Sequence, residues 1–330
     1  MAERLTTRNS RRAPDGPAEL RTRSWWGVLR RTVKEFQDDR LTDWAAALTY
    51  YAMLSIFPAL LAVVSLLGVF GQSVIGPLMD TLEPMAPGPA QEILRQALVA
   101  LQEHRQAAGF ALVVSLAVAL WSASGYVGAF MRASNVVYEM PEGRPIWKTL
   151  PLRLAITAAL VVLMAVGAVA VVLTGGLAER AGDLLGFGPA ALTVWSFAKW
   201  PLLVAVVVVV LALLYWSAPN VRHPGFRWIT PGSALAVVVW IVVSAGFAFY
   251  VANFGSYGTT YAAMGGVIVF MIWLWLSNVA VLLGVEFDAE LARERAIGAG
   301  QPPEREPYVE PRDTRKMDDD ERPEPVERGG

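Results

Sequence analysis

The stretch that decides the fold is residues 231–287, PGSALAVVVWIVVSAGFAFYVANFGSYGTTYAAMGGVIVFMIWLWLSNVAVLLGVEF. It contains two uncharged apolar runs, Gly232–Ala252 and Ala262–Val285, joined by the polar connector 253–261. Each run has about 20 residues, which at about 1.5 Å per residue crosses a hydrocarbon core of about 30 Å. The Gly, Ser, Thr, Asn and Tyr of the connector suit a turn at a membrane surface. The stretch therefore predicts a membrane-spanning helical hairpin.

The composition agrees with a membrane protein. Hydrophobic residues make up 55% of the 330 residues and charged residues 17%, a balance typical of polytopic membrane proteins. The absence of cysteine excludes disulfides, thiolate metal sites and cysteine nucleophiles. The first 43 residues are polar and basic and show no cleavable signal peptide, so the first apolar helix is expected to target the chain to the membrane.

The predicted fold is all-α, a polytopic protein with six transmembrane helices plus amphipathic interfacial helices. A basic amphipathic helix is expected at about 25–42, either on an anionic membrane face or packed on the protein itself. A second amphipathic helix is expected at 90–105. The membrane domain spans 25–292, between a disordered basic tail at 1–24 and a charged disordered tail at 293–330. The predicted crossings are 44–70, 109–131, 151–174, 190–216, 232–252 and 262–285.

Two prolines shape these helices. Pro58 lies inside the first crossing and frees the carbonyl of Leu54, which Ser55 is close enough to help satisfy. Thr149 and Pro151 supply the cap and first-turn signals that predict the start of the third crossing.

The distribution of Lys and Arg predicts the orientation. Segments 1–43, 132–153 and 217–231 carry ten, four and two of these residues, whereas the alternate connections 71–108, 175–189 and 253–261 carry two, one and none. Cytoplasmic loops are enriched in Lys and Arg. Both termini are therefore expected in the cytoplasm, and the protein in the bacterial inner membrane.

Several stretches resemble the YihY/BrkB family of bacterial inner-membrane proteins. Residues 41–58, LTDWAAALTYYAMLSIFP, resemble its opening helix, and WSASGYVGAFMRASN at 121–135, followed by EGRPIWK at 142–148, resembles a second conserved block. The C-terminal signature comprises Tyr215, Pro219-Asn220, Pro231-Gly232, Phe254-Gly-Ser-Tyr257, Tyr261 and Leu283-Gly-Val-Glu286. The resemblance covers roughly residues 25–292.

The resemblance implies an envelope protein that handles lipid-like or amphiphilic solutes, with one branch of the family linked to serum resistance. It carries over no catalytic residues. An old ribonuclease label of the family is generally regarded as mistaken. Under this interpretation the partners are membrane lipids and an amphiphilic substrate, with no nucleic acid, and a homo-oligomer stays open.

The residues themselves do not favour an enzyme. The chain has two histidines, His104 and His223, which the predicted topology places on opposite sides of the membrane. A metal-dependent nuclease needs converging His, Asp or Glu ligands, and no phosphate-binding Gly loop followed by Lys-Ser/Thr occurs. We expect no catalytic residues, no metal and no cofactor.

Intramembrane polar residues are costly and are the default candidates for a functional site. Lys199 either snorkels outward within an aromatic belt or faces an internal cavity that attracts an anionic headgroup. Asn278 either makes an interhelical hydrogen bond or lines a substrate path.

The helix ends supply the remaining candidates. Asp43, Arg132, Arg153 and Glu286 lie near the predicted cytoplasmic rim, where a pair between Glu286 and Arg132 or Arg40 would be a structural clamp or a gate. Asn253, Tyr257 and Tyr261 lie at the outer rim and either serve the turn and anchor it at the interface or form a polar vestibule.

The leading hypothesis is a non-enzymatic envelope protein that binds or transports a lipid-like or amphiphilic solute without its own ATPase. The alternative is a scaffold that recruits partners through its tails. A tRNA-processing ribonuclease is the least favoured.

Overall fold

The computed structural model describes residues 22–70, 108–172, 178, 186, 188–223, 230–254, 262–303, 306–320 and 322. Within these ranges the chain is all-α, as predicted. Its seven helices are α1 Thr22–Asp38, α2 Leu41–Phe70, α3 Ala108–Val137, α4 Ile146–Val172, α5 Pro189–Ser217, α6 Thr230–Phe254 and α7 Ala262–Gly298. The predicted amphipathic helix at 90–105 and most of the N-terminal tail lie outside the described residues.

Four segments of the described chain are long and apolar enough to cross a membrane. They are Ile146–Gly167, Ala190–Ser217, Pro231–Asn253 and Gly265–Gly298. Helices α2 and α3, which contain the other two predicted crossings, are continuous over 30 residues each.

The chain divides into two compact units. One contains Met1–Thr49, Gly128–Ile156 and Val207–Gly330, and the other contains Tyr50–Val127 and Thr157–Val206.

Helices α6 and α7 approach closely at two glycines. A Cβ atom on Gly284 would lie 2.6 Å from the carbonyl oxygen of Gly232 and 2.5 Å from the Tyr215 hydroxyl oxygen. Only glycine leaves room for backbones to meet at this separation. The Nε1 group of Trp240 on α6 donates to Ser277 Oγ on α7 at 3.0 Å, so the predicted hairpin is stabilised by both packing and a hydrogen bond.

Helix α1 packs on the C-terminal half of α7. Trp25 stacks on Phe287 with ring centroids 6.0 Å apart, and Val28 and Leu291 are fully buried in the same cluster. The opposite face leaves Trp26 73% exposed. Of the two alternatives for this amphipathic helix, packing on the protein's own helix is the one observed.

The carbonyl freed by Pro58 has a different partner from the one predicted. Ser122 Oγ on α3 donates to Leu54 O at 3.1 Å, whereas Ser55 Oγ donates to Tyr51 O, four residues back, at 2.8 Å. Ser55 thus satisfies a carbonyl of the same region, its own i−4 carbonyl, and Ser122 of α3 satisfies that of Leu54.

Helix α4 begins earlier than predicted. Its first turn starts at Ile146, and Pro151 lies inside the helix. Thr149 N and Oγ1 both bond to Pro145 O, at 3.1 and 3.0 Å. Thr149 is therefore a residue of the first turns and not the cap, and Pro145 occupies the position just before the helix.

The C-terminal tail also differs from the prediction of disorder after residue 293. Helix α7 continues to Gly298, and residues 306–320 lie against the helical body. Composition predicted disorder because the segment has few apolar residues. The segment is instead held by backbone and amide hydrogen bonds, which composition does not report.

Asn220 is the centre of this tail contact. Val221 and Pro311 form an isolated antiparallel bridge, and Arg312 N donates to Asn220 O at 2.9 Å. The Asn220 side chain donates to Asp313 O at 2.8 Å and accepts from Asp313 N at 3.1 Å. It thus pairs with the tail as a backbone strand would.

Replacing Gly284 with alanine should lower the stability of the helical hairpin. The added methyl group meets backbone and a buried hydroxyl, so we expect a loss of about 2 kcal/mol in unfolding free energy. Thermal unfolding in detergent measures it. Gly266→Ala is the matched control on the same helix, because among the described residues no atom outside its own helical turn lies within 4 Å of its Cβ position; equal effects of the two substitutions would contradict the proposed contact.

Candidate functional site

Two guanidinium groups line a groove between the end of α3 and the start of α4, here called the arginine groove. Its volume is about 220 Å³. Its lining residues are Gly128, Met131, Arg132, Glu142, Ile146, Thr149, Leu150 and Arg153. Two of the candidates from sequence, Arg132 and Arg153, are therefore brought together.

Gly128 shapes the floor of the arginine groove. A Cβ atom at this position would lie 3.0 Å from both Cδ and Nη1 of Arg153. The bare backbone of α3 therefore lets the Arg153 side chain lie across the helix. The sequence suggested only helix–helix contact for Gly128, and the structure uses it to seat an arginine.

The carboxylate in the arginine groove is already engaged. Glu142 accepts hydrogen bonds from Arg144 Nε and Nη2, each at 2.7 Å, and from Asn135 Nδ2 at 3.0 Å. Arg144 is 3% exposed and also donates to Ala218 O at 2.8 Å. Arg144 thus neutralises the carboxylate of the groove, and Arg132 and Arg153 are the basic side chains of its lining.

The outer edge of the arginine groove is apolar. Ile146 and Trp147 open helix α4 and are 74% and 69% exposed. Basic side chains beside exposed aliphatic and indole surface are typical of a membrane–water interface.

A second site, here called the acidic cavity, lies between α1, the residue after α3, α7 and the tail. Its volume is about 30 Å³. Six carboxylate side chains line it: Glu35, Asp39, Glu139, Glu286, Glu290 and Glu306. One of the sequence candidates, Glu286, is among them.

The pKa values of two lining carboxyls are raised. Burial, followed by the carboxylates Glu35, Asp38 and Glu306, raises the pKa of Asp39 to about 6. Burial, followed by a hydrogen bond to Glu306, raises the pKa of Glu139 to about 7. Glu139 also has a φ of 48°, in the left-handed region where non-glycine residues are uncommon.

The clamp predicted for Glu286 is not formed. Glu286 makes no salt bridge with Arg40 or Arg132, and its buried Oε2 atom has no hydrogen-bond partner within the described chain. Arg132 lies in the arginine groove instead, because α3 presents it toward α4.

The other candidates lie elsewhere. Asn278 Nδ2 donates to Thr49 Oγ1 at 3.0 Å, the interhelical hydrogen bond that was one of its two alternatives. The Lys199 ammonium lies 5.5 Å from the ring centroid of Trp200, and Asp43 is exposed in the first turn of α2. Asn253 donates to Phe249 O within its own helix.

Tyr257, Tyr261 and His104 lie outside the described residues. Burial, with a smaller contribution from Arg312, lowers the pKa of His223 to about 4, so this imidazole is neutral at physiological pH. Within the described ranges no group of three or more His, Cys, Asp or Glu residues is arranged to hold a metal ion.

The sequence did not reveal Glu35, Asp39, Glu139 or Glu306 as site residues. Their only signal was acidity in segments otherwise rich in charge. Asn220 was noted only as part of a family motif, and its role in holding the tail required the fold.

The chain is similar to known proteins over most of its length. The family model described as "Virulence factor BrkB" matches residues 32–309. This chain belongs to the BrkB family. Asn135, Glu142 and Asn220 lie in stretches that carried the resemblance, and they are joined by hydrogen bonds: Asn135 Nδ2 donates to Glu142 Oε2 at 3.0 Å, and Asn220 N donates to Asn135 Oδ1 at 2.8 Å.

Relatives in the BrkB family are known chiefly as membrane proteins. The chain is 31% identical to the ribonuclease-like protein YfkH of Bacillus subtilis over 80% of this chain and 93% of that protein. It is 26% identical to a UPF0761 membrane protein of Xanthomonas campestris over 79% of this chain, and 28% identical to one of Alkalilimnicola ehrlichii over 81%. The chain covers 60% of the length of these last two relatives. No solved structure matches it.

Truncating Asn220 to alanine should release the tail. The substitution removes the bonds to Asp313 N and O and to Pro141 O, a loss of about 2–3 kcal/mol. Limited proteolysis of the detergent-solubilised protein should then cut within 306–320 much faster. Asn253→Ala is the control, since that amide donates to Phe249 O within its own helix; unchanged proteolysis of Asn220→Ala would contradict the assigned role.

Proposed function

We propose that this BrkB-family protein binds an anionic amphiphile, a lipid with a phosphate-type headgroup, in the arginine groove. The observation that carries the proposal is the placement of Arg132 and Arg153 around one cavity of about 220 Å³. Guanidinium groups bind phosphate oxygens through paired, charge-assisted hydrogen bonds.

The wall of the arginine groove supports a lipid over a soluble anion. Ile146 and Leu150 line it, and Trp147 beside it is largely exposed. A free phosphate or small metabolite gains nothing from this apolar surface. An amphiphile buries its chain there and places its headgroup between the two arginines.

The proposed setting is a bundle of six crossings in the bacterial inner membrane with both termini in the cytoplasm. The four apolar spans, the continuous helices α2 and α3 and the bias of Lys and Arg support it. The arginine groove then lies at the cytoplasmic headgroup level. Any movement of the amphiphile would be passive, gradient-coupled or partner-driven, because the sequence carries no nucleotide-binding motif.

The competing functions receive less support. A scaffold acting through its C-terminal tail needs that tail to be available, yet residues 306–320 are bonded to the chain's own loops. The name of the Bacillus relative suggests a ribonuclease. A metal-dependent ribonuclease needs converging catalytic groups, and the described residues offer no metal-binding cluster.

The double substitution of Arg132 and Arg153 to alanine should weaken binding of a short-chain fluorescent phosphatidic acid at least about tenfold. Two charge-assisted contacts are lost, each of about 1.5–3 kcal/mol before relaxation. Fluorescence anisotropy in neutral detergent micelles measures the affinity. Arg222→Ala is the matched control, because Arg222 is an exposed arginine paired with Glu310 outside the groove.

Unchanged affinity in the double variant would refute the groove as the lipid site. Equal loss with Arg222→Ala would show that net charge, and not this groove, governs binding. A neutral diacylglycerol probe should bind weakly to the wild type and show no dependence on the two arginines.

The proposed topology can be tested with single cysteines, since the chain has none of its own. Asp319→Cys should react with a membrane-impermeant maleimide only in inverted vesicles, because Asp319 is exposed on the proposed cytoplasmic tail. Ser256→Cys, in the connector between α6 and α7, should react only from the outside of intact cells. Labelling of both from the same side would exclude the six-crossing arrangement.

A further inference from the structure

The acidic cavity contains more negative charge than its arginine can neutralise. Arg293 lies within salt-bridge distance of Glu35, Glu290 and Glu306, at 3.4, 3.2 and 3.5 Å. Arg31 also pairs with Glu290. These contacts leave the other three lining carboxyls without a Lys, Arg or His partner in the described part of the chain: Asp39, Glu139 and Glu286.

Glu286 is the most deeply placed of the three. It is 1% exposed, and its Oε2 atom is buried in the wall of the cavity with no hydrogen-bond donor among the described residues. An ionised carboxylate in such a position costs several kcal/mol. The side chain therefore needs a proton or a bound cation.

Glu139 and Glu306 provide an independent sign of the same need. Both line the acidic cavity, Glu139 just after α3 and Glu306 from the tail. Burial and the nearby Glu306 carboxyl raise the pKa of Glu139 to about 7, so the two groups favour sharing one proton. A proton there removes the repulsion between Glu139 and the tail residue Glu306, which Arg293 also contacts at 3.5 Å.

The size of the cavity limits its occupant. A volume of about 30 Å³ suits one or two water-sized guests. The carboxyls are not arranged as a ligand set for a metal ion within the described residues. A proton on the carboxyls, delivered by water, fits both facts.

We infer that the acidic cavity is a proton-binding site shared by Glu139, Glu286 and the tail residue Glu306, and that its protonation holds the tail segment 306–309 closed over it. Proton uptake converts two carboxylates to carboxylic acids, and hydronium from the adjoining water returns to water. Proton loss leaves like charges facing across the cavity, and the tail segment 306–309 separates from α1 and α7. The inference does not depend on lipid binding in the arginine groove.

The expected pH window follows from the lining groups. The pKa of Glu139 is raised to about 7 and that of Asp39 to about 6. At pH values above the range in which ordinary carboxyls titrate, the closed state therefore binds more protons than the open state. Closure is then favoured at low pH and lost as the pH rises through about 6 to 7. Burial raises the pKa values of the two lining phenols, Tyr138 and Tyr308, which stay neutral in this window.

Hydrogen exchange of the full-length protein in lipid nanodiscs tests the inference. The exchange rates of the Tyr308 and Val309 amides, divided by their intrinsic rates, should be about tenfold higher at pH 8 than at pH 6. Glu139→Gln should keep them protected at both values, because the amide donates to Glu306 without a titrating proton. Glu310→Gln is the matched control: this tail carboxylate lies outside the cavity and should leave the pH dependence unchanged.

Three results would overturn the inference. The first is hydrogen exchange in the wild type that does not depend on pH. The second is an exchange rate in Glu139→Gln that depends on pH as strongly as in the wild type. The third is full protection of these amides at pH 8 when sodium, potassium or magnesium chloride is added, with no such protection in a control of equal ionic strength. That result would assign the cavity to a metal cation. If Glu139→Gln fails to fold, Glu306→Gln removes the other carboxyl of the pair and tests the same pH dependence. Glu286→Gln should remove one protonated carboxyl from the infrared spectrum at pH 6.

Discussion

The contact between Gly232 and Gly284 is the constraint on which the larger of the two units depends. Backbone-to-backbone approach at this point brings the start of α6 against the middle of α7. Gly232 N can then donate to the Asp288 carboxylate at 2.8 Å, and Tyr215 can donate to Val281 O at 2.6 Å. In a membrane each buried polar group must find a partner inside the protein, so a displaced α7 would leave several unsatisfied at once.

The position of α7 also sets the acidic cavity. Its C-terminal extension carries Glu286, Glu290 and Arg293 into the acidic cavity and supports α1 through Phe287. The arginine groove is built independently by α3 and α4. One basic and one acidic cavity therefore lie on the same unit. The basic one lies on α3 and α4, and the acidic one lies between α1, the end of α3, α7 and the tail.

The tail contacts both sites. Glu306 lines the acidic cavity, and seven residues further on Asp313 pairs with Lys148 at the start of α4, one turn before Arg153. Under the inferred proton switch, release of the tail at the acidic cavity would also move Asp313, the partner of Lys148.

The sequence by itself determined the all-α fold, the apolar helices, the hairpin and the family, because hydrophobic run length and motif residues are local properties of the chain. It also singled out Arg132, Arg153 and Glu286, since charged residues near the ends of apolar helices are uncommon enough to notice. Only the tertiary structure decided their partners. It gave the Leu54 carbonyl to Ser122 and not to Ser55, and it kept Glu286 apart from the arginines expected to neutralise it. The physical reason is that hydrogen bonds and ion pairs between distant segments depend on helix rotation and backbone approach, which residue spacing along one helix does not specify.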